Sequence, residues 1–517
     1  MNNASSLIRT LLIYSICLPL AVFVGYTVTD PLNKSTFIVL GLVLCFLASP
    51  LLLRWHRLLL FAAWNFTAVL FFLPGTPDLW MAFVWLSLLI SVLHYILNPR
   101  VKFLSVPSVT RPLVFLAVVV AATAKLNGGI GLGALGSEME GGKKYIYILC
   151  AIAGYFAIIS QRIPPRRAGL YVALFFLGLV SMAIGELAPI IPSGIYFIFL
   201  LFPVSGYGFQ TIVSPGHAAI ARLGGLSVAS SGIFFAMLAR YGIRDLLNSR
   251  HFFRLSLFVV CAAIGLFGGF RSILVEFMIV FAVLFYLEGL MRTRLLPVLL
   301  LAIVLSGTLL VAFANKLPLN VQRTLSVLPI DVDPVAKADA QTSTEWRLNM
   351  WRDVLPTVPK YLLIGKGYGV TVAEMRILTV ARPGEMEKTS AEGSATAGDF
   401  HNGPLSLLIP FGIWGAIGFL WFIAAGWRVL HRNYQFGHPA FRRLNRFLFA
   451  FFIMKTIFFF LVFGSLYSDL AFFTGLVGLS VSINGGVAQP FLVPRPRAIL
   501  PPLRFRPQVP QPARVGI

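Results

Sequence analysis

The chain has 517 residues, of which 58% are hydrophobic and 12% are charged, and its formal net charge is +23. Soluble domains are about 45–50% apolar and about 25% charged, so this composition excludes an ordinary soluble protein. The apolar residues fall in solid runs of about 17–25 residues, which is the length of a membrane-spanning helix and lacks the alternation of a barrel strand. We interpret the basic surplus as membrane topology rather than as a nucleic-acid surface.

The fold class predicted is an all-α polytopic membrane protein with about 14 transmembrane helices and one large periplasmic loop. The apolar runs predict spans near 7–27, 35–53, 57–74, 79–97, 111–125, 144–160, 168–187, 223–241, 255–270, 272–291, 295–313, 404–427, 447–463 and 470–485. We expect no cleaved signal peptide, because the first run is too long and lacks a small-residue cleavage site. The four cysteines lie inside these runs without metal-ligand or disulfide spacing.

Arginine and lysine clusters alternate with the spans, as the positive-inside rule requires. We therefore expect both termini to be cytoplasmic, together with the loops that carry Arg54, Arg100, Arg166, Arg244, Arg292 and Arg442. Residues 188–208 are also apolar enough to span, but such a span would place the loop around Arg244 outside. Because Pro189, Pro192 and Pro203 interrupt this segment, we interpret it as re-entrant or interfacial.

This reading divides the chain into five parts with different expected environments. They are N-terminal transmembrane helices (1–221), transmembrane helices carrying Arg222 and Arg271 (222–313), the large periplasmic loop (314–403), C-terminal transmembrane helices (404–488) and a basic, Pro-rich cytoplasmic tail (489–517). The composition of the tail predicts disorder and contact with anionic lipid.

The large loop holds ten basic and ten acidic residues, so it is neither a charged tail nor a basic patch. Thr342–Glu345 fits a capping box that would begin a helix, and Pro356 would end it. Trp346 and Trp351 would share one apolar face of this helix. Two alternatives stay open: the helix lies at the membrane surface, or the loop forms a small globular lid with its own core.

Several polar residues stand where they are costly or well placed for chemistry. Arg271 lies between two apolar runs, where it either receives an anion or extends to the lipid headgroups. Glu276 and Lys455 fall inside predicted spans and are expected to pair with other groups. Arg347 lies on the loop helix, and considered alone it is more typical of a surface charge.

Two further motifs lie near the end of the loop. Gly365–Gly369 (GKGYG) has no preceding strand and no P-loop continuation, so we predict a turn rather than a nucleotide site. His401 directly precedes a predicted span that has Pro404 in its first turn. Its functional interpretation is a general base; the alternative is a plain helix cap by Asp399 or Asn402, with His401 incidental.

In order along the chain, FRSILVEF, EWRLNMWRDVL, IGKGYG and FHNGPLSLLIPFGIWGAIGFL resemble the O-antigen ligase superfamily. This superfamily includes O-antigen ligases, O-antigen polymerases and bacterial O-oligosaccharyltransferases. The resemblance covers roughly residues 220–430, and the chain has about two more predicted spans than the roughly twelve expected of the family.

The resemblance implies a glycosyltransferase of the bacterial inner membrane with its active site facing the periplasm. It would move a glycan from an undecaprenyl diphosphate carrier to a hydroxyl of lipid A-core or another glycan, without metal or other cofactor and without nucleic acid. Arg271, Arg347 and His401 would be catalytic, and Arg222 and Asn402 would bind substrate. The alternatives are a transporter or flippase of lipid-linked glycans and, less favoured, a structural or sensory membrane protein.

Overall fold

A computed structural model describes residues 34–73, 75–98, 103–128, 142–205, 220, 222–370 and 393–490, with scattered residues between 14 and 29. Over these residues the protein is built from helices, and the pairing of Val69 with Asp78 is an isolated bridge rather than part of a strand. The all-helical membrane fold is confirmed.

We number the α-helices along the described residues. They are α1 (Lys34–Leu47), α2 (Ser49–Ala63), α3 (Leu79–Leu97), α4 (Pro107–Asn127), α5 (Gly142–Ile159), α6 (Ala168–Leu177), α7 (Gly224–Leu246), α8 (Phe252–Leu266), α9 (Arg271–Leu287), α10 (Leu295–Phe313), α11 (Leu319–Leu325), α12 (Pro334–Val354), α13 (Val358–Tyr361), α14 (Gly403–Phe436), α15 (Arg442–Leu461) and α16 (Leu466–Asn484). Short 3-10 segments precede and follow α6, so that helical structure runs from Pro165 to Leu187.

Nine helical segments in the described ranges are long and apolar enough to cross a membrane, or ten if one bent pair is counted as a span. They coincide with nine of the predicted spans, but the expected number of about 14 is not confirmed. The predicted span 7–27 lies largely outside the described residues. The predicted spans 35–53 and 57–74 are instead the bent pair α1 and α2, whose axes differ by 87°. Pro50 lies in the first turn of α2. Proline is tolerated in the first turn of a helix but disrupts the interior of one, so a new helix begins here and α1 does not continue.

The predicted spans 255–270 and 272–291 are the helices α8 and α9, which have only 15 and 17 residues. At about 1.5 Å per residue both are shorter than the roughly 30 Å of the hydrocarbon core. The reason is local: Gly269 has a φ of +70° in the turn between them, and Gly289 has a φ of +75° after α9. Glycine adopts this left-handed conformation without steric cost and ends a helix there.

Residues 188–205 turn back instead of continuing away from the preceding helix. The Ser205 amide donates a hydrogen bond to the Gly185 carbonyl at 3.1 Å, so the segment ends at the level at which it began. Between these points lies the 3-10 helix Ser193–Leu200, which follows Pro192. This path agrees with the predicted re-entrant segment, of which residues 206–208 lie outside the described ranges.

The C-terminal half of the bundle positions the polar residues of interest. Helices α14, α15 and α16 pack against one another, α16 also packs on α5, and α7 and α9 pack on α15. Helices α7, α9, α14 and α16 begin, and α15 ends, at one end of the bundle, which we call the upper end. The helices α11 and α12 of the large loop lie next to it and contact α9 through α11.

Helix α14 is broken near its start, and the large loop fills the break. Gly412 has a φ of +61°, which interrupts the helical path. The amides of Lys366 and Gly367 donate to the carbonyls of Ile409 and Pro410 at 2.7 and 2.9 Å. The turn predicted at Gly365–Gly369 is therefore confirmed, and it replaces helical hydrogen bonds that the break leaves unmade.

The loop helix α12 begins earlier than its sequence suggested. Asp333 is the N-cap, its Oδ1 accepts from the Val335 amide at 2.8 Å, and Pro334 is the first helical residue. The prediction that Thr342–Glu345 begins the helix is wrong, because the stronger start at Asp333 and Pro334 already places these residues inside it. The end of α12 at Val354, just before Pro356, agrees with the prediction.

The apolar face of α12 packs on protein. The indole nitrogen of Trp351 donates to the Phe400 carbonyl at 2.8 Å. Trp351 and Val354 also contact a small core of Phe400, Leu405 and Ile409 at the start of α14. Of the two open alternatives, the structure favours a lid with its own core over a helix lying at the membrane surface.

Candidate functional site

A cavity of about 750 Å³ opens at the upper end, between the starts of α7, α9 and α16, the end of α15 and the covering helix α12. Its volume lies within the roughly 300–1,000 Å³ of ordinary ligand sites. Charged side chains and His401 line it together with aromatic rings: Arg222, Glu276, Asp339, Arg347, His401, Lys455, Asp469, Phe270, Trp346, Phe458 and Phe463. The structure thus brings together three of the predicted site residues, Arg222, Arg347 and His401.

Arg271 lies beside this cavity in a smaller one of about 260 Å³, which also contains Arg323. Arg222 and Arg347 line both cavities, so four arginines surround one region. The Arg271 guanidinium donates to the Ala340 carbonyl at 2.9 Å and to the Thr344 hydroxyl at 2.7 Å, which ties α9 to α12.

Asp339 holds two of these arginines in place. One carboxylate oxygen lies 3.0 Å from the Arg222 guanidinium, and the same oxygen accepts a hydrogen bond from Arg323. Arg323 also donates to the Gly269 carbonyl in the turn before α9. Burial alone would raise the pKa of Asp339, but the hydrogen bond from Arg323 and the charges of both arginines outweigh burial and lower this pKa.

Sequence reasoning missed Arg323 and Asp339, although one signal was available. Asp339, Ser343 and Arg347 follow one another at intervals of four, and all three line the main cavity. That spacing marks one face of a helix, but it becomes visible only if the helix is extended back to Asp333.

Of the four arginines around these cavities, Arg347 has the fewest protein partners. No hydrogen bond or ion pair joins its guanidinium to another residue in the described part of the chain. Burial, followed by the charges of Arg271, Arg323 and Arg222, lowers the pKa of Arg347. Four guanidinium groups face a single carboxylate here, so the region carries excess positive charge that an anionic ligand would neutralise.

His401 occupies a strained and enclosed position just before α14. Its φ is +48°, which is unusual for a residue other than glycine, and its ring lies 5.4 Å from Trp346 and 4.9 Å from Phe463 between ring centroids. Nδ1 lies 4.0 Å from Asp399 Oδ1, and neither atom has a hydrogen-bond partner among the described residues. Backbone strain of this kind is often found at active sites.

The surroundings of His401 keep its imidazole neutral. Burial is the largest cause that lowers the pKa of His401. The charges of Arg347 and Lys144 lower this pKa further, whereas the charge of Asp399 raises it.

Asn402 serves as the N-cap of α14. Its Oδ1 accepts a hydrogen bond from the Leu405 amide at 3.1 Å. This is the capping role weighed as an alternative for the segment. A substrate contact by the side-chain amide of Asn402 stays a prediction.

The polar residues inside the helices also meet at the cavity. Lys455 forms an ion pair with Asp469 at 2.8 Å, and Glu276 lines the same space. Within the described ranges, no group of three or more His, Cys, Asp or Glu side chains is arranged to hold a metal ion.

A family model described as O-antigen ligase matches residues 256–420. The resemblance to the O-antigen ligase superfamily is confirmed. The matched stretch runs from α8 to the first half of α14 and carries Arg271, Arg323, Asp339, Arg347 and His401. The match supports a membrane glycosyltransferase of O-antigen ligase or polymerase type and gives no support to a transporter or flippase. No curated protein and no solved structure matches the chain.

Proposed function

We propose that the protein transfers a glycan from an undecaprenyl diphosphate carrier to an acceptor hydroxyl, at the periplasmic face of the bacterial inner membrane. The observation that carries the proposal is a cluster of four arginines around two adjoining cavities, with Asp339 as its ion-pair partner, beside a His401 whose pKa is lowered. The O-antigen ligase match supports the same reaction class. Transfer to lipid A-core or a related glycan, as by a ligase, is favoured slightly over polymerisation.

The arginines are suited to the leaving group. When the bond between the sugar carbon and the phosphate oxygen breaks, the electron pair stays on the diphosphate, whose negative charge increases. Guanidinium groups donate paired hydrogen bonds to phosphate oxygens and remain charged near neutral pH. Arg347 has donors free of other described residues, and Arg222 is already oriented by Asp339. They would therefore stabilise the transition state more than the bound donor.

His401 is suited to activate the acceptor. A neutral imidazole accepts the proton of the acceptor hydroxyl while the hydroxyl oxygen forms the new bond to the sugar carbon. The imidazolium that results would lie 4.0 Å from the Asp399 carboxylate, which stabilises its positive charge. The break in α14 and the Asn402 cap fix the backbone on which His401 stands.

The test of this proposal compares transfer with donor binding. We expect His401→Ala and His401→Gln to lose about 10²–10⁴ in transfer rate, because neither side chain accepts the proton. Binding of the lipid-linked donor should survive, since the arginines carry it. The matched control is His438→Gln at the other end of α14, where His438 caps a short 3-10 helix.

The two readouts separate the possible roles of His401. An active His401→Gln enzyme would reduce His401 to a positioning residue. Loss of donor binding in both variants would assign it to the diphosphate site. Absence of transfer by the wild-type protein, with donor and acceptor both bound, would contradict the proposed function itself.

A further inference from the structure

The main cavity reaches below the arginines to a group of charged residues inside the helices. Glu276 lies in the second turn of α9, Lys455 lies six residues before the end of α15, and Asp469 lies in the first turn of α16. All three line the cavity. Ionisable residues at such depth in a membrane bundle are costly, and they usually mark a substrate path.

Two members of this group satisfy each other. The Lys455 ammonium lies 2.8 Å from Asp469 Oδ1, and Asp469 Oδ2 accepts from the Ser465 amide at 2.8 Å. The Lys455 ammonium also lies 5.5 and 5.0 Å from the ring centroids of Phe458 and Phe472. Asp469 is thus fixed on two sides, and it holds Lys455 at the cavity wall.

Glu276 is different, because it has no such partner. Its carboxylate accepts no hydrogen bond and forms no ion pair within 4.0 Å among the residues described, although it shares the cavity with Lys455. A carboxylate placed only for structure would be satisfied by the fold, as most half-buried polar groups are. Glu276 therefore presents acceptor oxygens to whatever fills the cavity.

The two parts of the cavity differ in chemistry. Arg222 and Arg347 make one part cationic, as a phosphate requires. The part near Glu276 combines carboxylates and an ammonium group with the rings of Phe458 and Phe463. Carboxylates accept hydrogen bonds from hydroxyls, an ammonium donates them, and aromatic rings pack on apolar C–H faces. A sugar ring offers both kinds of surface at once.

We propose that Glu276 and the Lys455–Asp469 pair form a subsite for a sugar ring, next to the arginines that bind the diphosphate. Glu276 accepts hydrogen bonds from ring hydroxyls, and Lys455 donates to a ring oxygen or hydroxyl. The occupant is either the sugar attached to the carrier or the sugar that bears the acceptor hydroxyl. This inference rests on the proposed function, whose residues it extends.

The experiment measures equilibrium binding of three probes to purified protein. The probes are a polyprenyl diphosphate without sugar, the same carrier with its glycan, and the acceptor glycan alone. Glu276→Gln should weaken one of the two sugar-bearing probes about tenfold, because an amide NH2 donor replaces one of the two acceptor oxygens. Binding of the sugar-free carrier should change less than twofold.

Two further variants keep the test interpretable. Glu276→Asp retains the charge beside Lys455 but withdraws the oxygens by one methylene, and it should give a smaller loss with the same selectivity. Should Glu276→Gln unfold, this variant decides the question. Glu288→Gln is the matched control, since Glu288 ends the same helix and accepts from the backbone amides of Ile243 and Arg244, away from the cavity.

Each outcome supports or overturns the subsite. Selective loss of the glycan-linked carrier assigns the subsite to the donor sugar, and selective loss of the acceptor glycan assigns it to the acceptor. Equal loss of all three probes, or no loss by either Glu276 variant at normal thermal stability, would overturn it. Since these are binding measurements, they remain decisive even if the wild-type protein fails to catalyse transfer.

Discussion

Helices α14, α15 and α16 carry buried polar groups at both ends of the bundle, and the two ends differ in how completely those groups are hydrogen-bonded within the protein. At the lower end, the Asn445 side-chain amide donates to the Asn433 carbonyl at 2.8 Å, and the Asn484 amide donates to Asn445 Oδ1 at 2.8 Å. Asn433 in turn bonds Ser480 Oγ at 2.9 Å and accepts from the Ala488 amide at 2.7 Å. Every member of this network has a partner.

At the upper end, several polar groups face the cavity without such satisfaction. Arg347, Glu276 and Nδ1 of His401 have no hydrogen-bond partner among the described residues. A buried network that is fully paired specifies and rigidifies a fold, whereas unpaired buried groups are costly unless a ligand completes them. The comparison therefore contrasts a fully paired asparagine network with polar groups that are left open to the cavity.

After the His401 variants, the largest loss of transfer should come from the arginines. Arg347→Ala and Arg271→Ala should each lower turnover by about 10²–10³, because charge-assisted hydrogen bonds to the leaving group are lost. Arg271→Lys should fail nearly as badly, since an ammonium cannot replace a planar guanidinium. The measurement is glycan transfer at matched expression.

Arg352→Ala is the control for Arg347, because Arg352 lies on the same helix, is exposed and bonds only the nearby Asn349. If an Arg347 or Arg271 variant retains activity within about twofold of wild type, that residue has no part in the reaction.

A smaller effect is expected at Asp339. Asp339→Asn should lower transfer roughly tenfold and reduce thermal stability, since Arg323 is 3% exposed and would keep its charge without a carboxylate. Adding Arg323→Met should recover stability, because no uncompensated buried charge then remains. If the single variant is as stable as wild type, Asp339 does not hold the lid.

The pH dependence of transfer tests the state of His401. Because its pKa is lowered from 6.5, His401 stays neutral at pH 7, and activity should fall only below pH 6.5 as the ring takes up a proton. Asp399 raises this pKa, so Asp399→Asn should move the acidic limb of the profile to still lower pH. Asp353→Asn, at an exposed carboxylate of α12, should not move it. An upward shift in Asp399→Asn would contradict this account.

The smallest effect on activity belongs to the lower end. Asn445→Ala should lower thermal stability, because the Asn433 carbonyl and the Asn484 amide each lose one hydrogen bond of the buried network. Transfer by the protein that remains folded should stay within about twofold of wild type. A tenfold loss of activity at unchanged stability would remove the distinction between the two ends.

Much of the fold could be predicted because a membrane-spanning helix is recognised from the length and hydropathy of one continuous stretch of sequence. The nine predicted spans that coincide with long, apolar helices of the described residues can be recognised without knowledge of partner helices or distant residues. Bends are harder: apolar composition is the same on both sides of Pro50, so a hydropathy pattern does not show that the helix axis changes there. The start of α12 was missed for a related reason, since two capping signals compete and only one is used.

Some residues of the site could likewise be predicted from the sequence, and others could not. Arg222, Arg347 and His401 could be proposed from short motifs, and the structure places them at one cavity. Asp469 could not, because it meets Lys455 only after separate helices have packed, and nothing local distinguishes it from an acid on an exposed surface. Asp339 is marked only by its spacing with Ser343 and Arg347, which forms a helix face once α12 is extended back to Asp333.

The turn that fills the break in α14 also limits where the large loop can tolerate insertions and deletions. If that turn withdrew, the carbonyls of Ile409 and Pro410 would lose their donors, at several kcal/mol for each one left in hydrocarbon. His401 is fixed by this anchor on one side and by Trp351 on the other. Insertions or deletions between residues 370 and 393 should therefore leave the reaction centre in register.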